Sequence, residues 1–100
     1  IVTPEFFGCF HVDDDGIHTG PHAEEDHPAL PRFQALAAEL ETRLVLGSLA
    51  VTTPGGKLAN RSFVIDPAGA VVARYDKIHL FDVDIDDDDR FRESATFAPG

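Results

Sequence analysis

The sequence has a single cysteine, Cys9, and no methionine or tryptophan in 100 residues. One thiol cannot form an internal disulfide, which fits a reducing compartment. Basic residues are scarce, 8 against 18 acidic ones, for a formal charge of -10. Binding to a phosphate backbone depends on clustered Lys and Arg, so nucleic acid is excluded as a partner. No apolar run approaches the roughly 20 residues that span a bilayer, and no basic-then-apolar leader is present. The expectation is a soluble, cytoplasmic protein without a membrane partner.

What is present is globular in composition, with 43% hydrophobic and 26% charged residues, enough apolar content for a modest core. The chain opens on the apolar pair Ile1-Val2 and closes on Pro99-Gly100. Both ends read as cut through continuing structure, so residues 1–100 are expected to be part of one domain, truncated at both ends, with no linker.

Residues 1–3 are apolar and β-branched and run into Pro4, which reads as the end of a buried strand delivering Glu5 at its C-terminal edge. In α/β sheets that edge is where chemistry is placed. Residues 11–27 are rich in Asp, Glu, His and Gly with little periodicity, which predicts a solvated loop. Leu30, Phe33, Leu36, Ala37, Leu40 and Leu44 recur at steps of three and four, the stripe of an amphipathic helix, with Pro31 in its first turn. Residues 44–51 form a mostly apolar run without polar alternation, as in a strand covered on both faces. Strand, helix, strand is an α/β pattern. Thr53-Pro54-Gly55-Gly56 reads as a turn, residues 58–66 as a strand, Pro67-Ala68-Gly69 as a tight turn and residues 70–75 as its hairpin partner, feeding Lys77. Alternation from Lys77 would put Lys77, His79 and Phe81 on one side and Ile78 and Leu80 on the other.

Several stretches together resemble the nitrilase superfamily of carbon-nitrogen hydrolases, on its omega-amidase-like branch. They are Thr3-Pro4-Glu5, Leu46-Gly47-Ser48, the segment from Lys57-Leu58-Ala59-Asn60 to Pro67-Ala68-Gly69, Tyr75-Asp76-Lys77-Ile78-His79-Leu80-Phe81-Asp82 and Glu93-Ser94, in the family's order over nearly the whole chain. The resemblance implies an α/β fold that is part of a four-layer α-β-β-α sandwich. It further implies hydrolysis of a nonpeptide amide or nitrile by a Glu-Lys-Cys set through a thioester, with no cofactor and no metal. The family's cysteine segment has no counterpart here and is expected beyond Gly100. The chain is therefore read as an enzyme fragment, inactive alone, of a protein expected to act on a small-molecule amide and to form homo-oligomers.

Three roles follow from the resemblance. Amide carbons are poor electrophiles, so sulfur should attack as the thiolate, and Glu5 is the base that accepts the thiol proton and later activates water. Lys77 supplies a fixed cation for the oxyanion. Glu93 is the acid that keeps a desolvated Lys77 charged. His79 and Phe81 are the candidate substrate-binding residues.

Plainer readings compete. By residue type alone Glu5 is a solvated strand-end acid, Lys77 a surface lysine and Glu93 half of an exposed ion pair. Cys9 lies four residues after Glu5, but Gly8-Cys9-Phe10 reads as a small buried hydrophobe leaving a strand, not as a nucleophile. Asp82, Asp84, Asp86 and Glu93 match four places of a calcium loop, but Asp87 stands where glycine is needed and Asp89 where an apolar residue is, so a solvated insertion is expected. Histidines 11, 18, 22 and 27 match no ligand frame. The acidity of both stretches argues against an anionic substrate. The rival hypotheses are a noncatalytic scaffold or oligomerisation domain, and an acidic cation-binding module.

Overall fold

The computed structural model of the chain describes residues 1–7, 10–13, 16–19, 22–86 and 90–100, with 10–13 and 16–19 described by backbone alone. Among the described residues seven strands and one α-helix follow in the order β1 (Phe10–Asp13), β2 (Gly16–Thr19), α1 (Ala29–Leu40), β3 (Leu44–Thr52), β4 (Leu58–Ile65), β5 (Val71–Asp76), β6 (Asp82–Asp84) and β7 (Arg90–Arg92). Single 3-10 turns occupy Glu24–Asp26 and Glu93–Ala95. No helix of the described residues is long and apolar enough to cross a membrane.

The centre is an antiparallel sheet in the order β3-β4-β5. Its inward side chains, Leu44, Leu46, Leu49, Val51, Phe63 and Ile65, are all withdrawn from water. Each large apolar side chain buried in this way contributes about 1.5–3 kcal/mol. The covering helix contributes Leu30 and Ala37, with Phe33 packed against the same cluster. Pro31 lies in its first turn, as the sequence predicts. Leu36 and Leu40 remain exposed and Leu44 belongs to β3, so the helix stripe is narrower than its periodicity suggests.

The N-terminus of α1 has Pro28 at its cap position, which offers no side-chain acceptor. His27 fills the gap: its Nδ1 accepts the Ala29 N–H at 3.2 Å. His27 is 3% exposed, and burial, reinforced by the neighbouring His22, lowers its pKa below 6.5. The neutral ring is the form that can accept a hydrogen bond at Nδ1.

The hairpin β4-β5 forms where Pro67-Ala68-Gly69 predicts it. Asp66 Oδ1 accepts the Ala68 and Ala70 N–H groups at 3.0 and 2.9 Å, and Gly69 adopts φ 91°, which an L side chain rarely tolerates.

Three expectations need correction. Residues 1–3 make one parallel bridge, Val2 to Val45, and Ile1 and Val2 are exposed: Pro4 stops the ladder, and no described residue covers them. Residues 10–13 and 16–19 pair as the antiparallel strands β1 and β2 in place of the expected loop, with Val12 opposite Ile17 in the register, because strand pairing is a main-chain event that acidic side chains do not prevent. Residues 77–81 leave the sheet, so strand alternation does not apply; Ile78 is exposed while Leu80 packs on the core. By contrast, the solvated character expected of the acidic stretch holds where it is described: Asp82, Asp84 and Asp86 are exposed, and β6 pairs with β7 with Val83 opposite Phe91. The readings placed on Cys9, Asp87, Asp89 and the side chains of His11 and His18 lie outside the described residues.

The α/β reading stands. These residues supply one helix layer on one sheet.

Candidate active site

Glu5 arrives on a segment that runs parallel to β3. Ile1 O accepts the Val45 N–H at 2.8 Å, and the Thr3 N–H donates to Val45 O at 3.0 Å. The Gly47 N–H then donates to Thr3 Oγ1 at 3.0 Å. The approach demands glycine: a Cβ on Gly47 would lie 2.1 Å from Thr3 O and 2.4 Å from Pro4 O, distances no backbone accepts. At this point the β3-β4 register shifts between Leu46 and Leu49, a bulge that turns Ser48 beneath the incoming turn. Buried Ser48 Oγ accepts the Phe6 N–H at 3.0 Å. Phe6 adopts φ 52°, a left-handed conformation costing about 1–2 kcal/mol for an L-residue. Its ring packs on Phe97 at 5.3 Å between centroids, which helps to hold the turn next to Glu5.

Lys77 follows β5 directly. Its N–H donates to Asn60 O at 3.0 Å and its carbonyl accepts the Gly100 N–H at 2.9 Å. The preceding Asp76 is clamped across the sheet by Arg61, Nε to Oδ1 at 2.6 Å and Nη2 to Oδ2 at 2.9 Å. That two-pronged bond lowers the Asp76 pKa and raises that of Arg61. Glu93 opens the last 3-10 turn. Its N–H donates to Phe81 O at 3.2 Å, and its Oε2 accepts the Phe81 N–H at 2.6 Å.

The three charged groups converge. Lys77 Nζ lies 3.3 Å from Glu5 Oε1, and 3.3 and 3.1 Å from the two oxygens of Glu93. Glu93 is buried at 6% exposure, Lys77 is at 31% and Glu5 at 54%. Burial alone pulls the Lys77 ammonium down, but hydrogen bonds to Glu93 and then Glu5, with the charges of both, raise it above 10.5. Lys77 is therefore a fixed cation. The trio borders a cleft of about 410 Å³ whose remaining walls are Phe6, Phe81, Phe91 and Phe97. A slightly larger concavity of about 450 Å³ lies beside Arg61, Arg74 and Tyr75, but its cations are occupied by Asp76 and Glu24.

The structure thus brings Glu5, Lys77, Glu93 and Phe81 to one cleft. His79 is exposed and is not among the cleft's lining residues. Among the described residues no three His, Cys, Asp or Glu side chains gather as a metal site. Asp82 and Asp84 are engaged instead by Ser94 and Arg92. Sequence reasoning missed Asn60, whose Nδ2 donates to Glu5 Oε1 at 2.6 Å, and the Ser48 support beneath Phe6. The available signal was an asparagine inside a predicted strand, a position this residue type usually avoids.

Chemically, a carboxylate, a fixed ammonium and a buried second carboxylate on an apolar cleft suit proton transfer next to a developing negative charge. The family model for carbon-nitrogen hydrolase matches residues 1–100. A hydrolase of Schizosaccharomyces pombe is 36% identical over 100 residues, all of this chain and 31% of that protein. Omega-amidase of Homo sapiens is 39% identical over 93 residues, 92% of this chain and 33% of that protein. Among solved structures, the C. elegans NitFhit protein superposes with a TM-score of 0.66 at 31% identity, over 73% of this chain and 18% of that one. The chain spans about a third of the length of these two curated relatives. With its whole length matched by that model, this chain belongs to the carbon-nitrogen hydrolase family, on the omega-amidase-like branch of the nitrilase superfamily.

Proposed function

We propose that the full-length protein is a cytoplasmic, thiol-dependent amidase that hydrolyses a small nonpeptide amide by the Glu-Lys-Cys chemistry expected of the omega-amidase-like branch. The observation that supports this reading best is the meeting of Glu5, Lys77 and Glu93 within 3.3 Å contacts at one apolar cleft. A cysteine outside these 100 residues completes the set. Glu5 takes its thiol proton, and the thiolate attacks the amide carbon. The Lys77 ammonium stabilises the oxyanion, and Glu5 returns the proton to the departing nitrogen. Glu5 then draws a proton from water, whose oxygen attacks the thioester carbon; the carbon-sulfur bond breaks, the acid is released, and Glu5 returns the proton to the sulfur.

Glu93 keeps Lys77 charged and, through the Phe81 N–H, ties one cleft wall to the ion pair. The four phenylalanine walls, with a net negative trio beside them, favour a neutral acyl group over a dicarboxylic acid monoamide. Exposed Val72 and Tyr75 on β5, with Ile78 just beyond its end, favour a covering partner, and a homo-oligomer supplies one. Lys77→Ala in the full-length protein tests the central claim: amide hydrolysis should vanish while the circular-dichroism spectrum is unchanged. Retained turnover would leave the noncatalytic scaffold as the better account.

A further inference from the structure

We infer that the Asn60 side chain is the positioning group that sets the Glu5 carboxylate in reacting geometry beside Lys77; the inference rests on the amidase reading above. Asn60 is 3% exposed, a polar side chain sealed inside the otherwise largely apolar β4. Its Nδ2 reaches Glu5 Oε1 at 2.6 Å, and its main-chain carbonyl accepts the Lys77 N–H at 3.0 Å. One residue thereby links two groups that stand 72 positions apart. An ionised carboxylate can only accept hydrogen bonds, so the amide must present its NH₂ and not its oxygen to Glu5.

The consequence is atomic. Oε1 of Glu5 is taken by Asn60 and, at 3.3 Å, by Lys77 Nζ. Oε2 makes neither of these bonds and is assigned as the oxygen that exchanges protons with thiol and water. About half of the Glu5 side chain is exposed, so among the described residues the long Lys77 contact is what remains, without the Asn60 donor, to fix which oxygen faces the substrate.

The test uses the full-length protein and two variants, Asn60→Asp, which keeps the shape but turns an acceptor towards Glu5, and Asn60→Ala, which removes the donor. The expected result is a kcat lowered about 10- to 100-fold with KM within about threefold, since the lost term is orientation and not substrate binding. A kcat within twofold of wild type in either folded variant overturns the assignment, as does a rise in KM with kcat intact. Asn60→Ala carries the test if the aspartate variant does not fold. Should the wild type turn over no amide, the amidase reading fails by itself; the crystal structure of Asn60→Ala then decides, a displaced Glu5 carboxylate upholding the positioning role and an unmoved one ending it.

Discussion

At the scale of single residues, burial and charge pull against each other at two places, with opposite outcomes. Lys77 is partly desolvated, yet two carboxylates hold its proton, so its charge is secure across physiological pH. His27 is buried beside His22 rather than beside an acid that would hold its proton, and its pKa falls. The sign of the consequence is fixed. The unfolded chain takes up a proton at His27 near pH 6.5, the folded chain only at lower pH, so stability is complete above that value and declines as pH falls through it. Protonation would also remove the Nδ1 lone pair that caps α1 at Ala29. Denaturant midpoints between pH 7.5 and 5.5 should drop for the wild type and drop less for His27→Ala, whose unfolding free energy at pH 7.5 should already be lower by about 1 kcal/mol for the lost cap. Parallel curves for the two proteins would refute this.

Among the elements, the bulge in β3 does more for the site than any other feature. It brings Gly47 against the backbone of Thr3 and Pro4, and Ser48 under Phe6, so the turn bearing Glu5 is docked by the strand and not by its own ladder. Gly47→Ala should cost about 2–3 kcal/mol, because the methyl meets main-chain oxygens that cannot rotate away. Glu5 should move with the displaced turn, and amide turnover in the full-length protein should fall about 100-fold. An alanine variant with unchanged melting temperature and turnover would show that the cradle is dispensable. The glycine was visible in the sequence. Its reason was not, since a close approach between segments 44 residues apart leaves no local pattern.

Helix α1 and the β4-β5 hairpin were legible for the opposite reason. Steps of three and four at Leu30, Phe33 and Ala37, and the Pro67-Ala68-Gly69 turn, are short-range signals that the tertiary structure had no cause to override. The β1-β2 hairpin was hidden because composition reports the solvation of side chains, whereas strand pairing is a main-chain event. Asn60 was hidden because its partner is distant in sequence.

For the molecule as a whole, area and size tell the same story. The accessible surface is 6482 Å², against roughly 5,600 Å² for a folded monomer of this mass. The radius of gyration is 15.0 Å, against about 13 Å for a typical domain of this length. Ile1, Val2, Val72, Tyr75, Ile78 and Phe91 are among the large apolar side chains left in water. These 100 residues alone should therefore bind a hydrophobic dye and self-associate with concentration in sedimentation experiments, in spite of a charge of -10. A monodisperse monomer with no dye signal would contradict this.

The sequence by itself determined the family, the α/β class and three of the residues that meet at the cleft, because motif, periodicity and turn chemistry are written locally along the chain. Only the tertiary structure decided which groups complete the site. Asn60 on Glu5, Ser48 under Phe6 and Arg61 on Asp76 depend on sheet register and on one bulge. It also decided that Phe81 faces the cleft while His79 faces water, since the chain leaves β5 before strand alternation can place either.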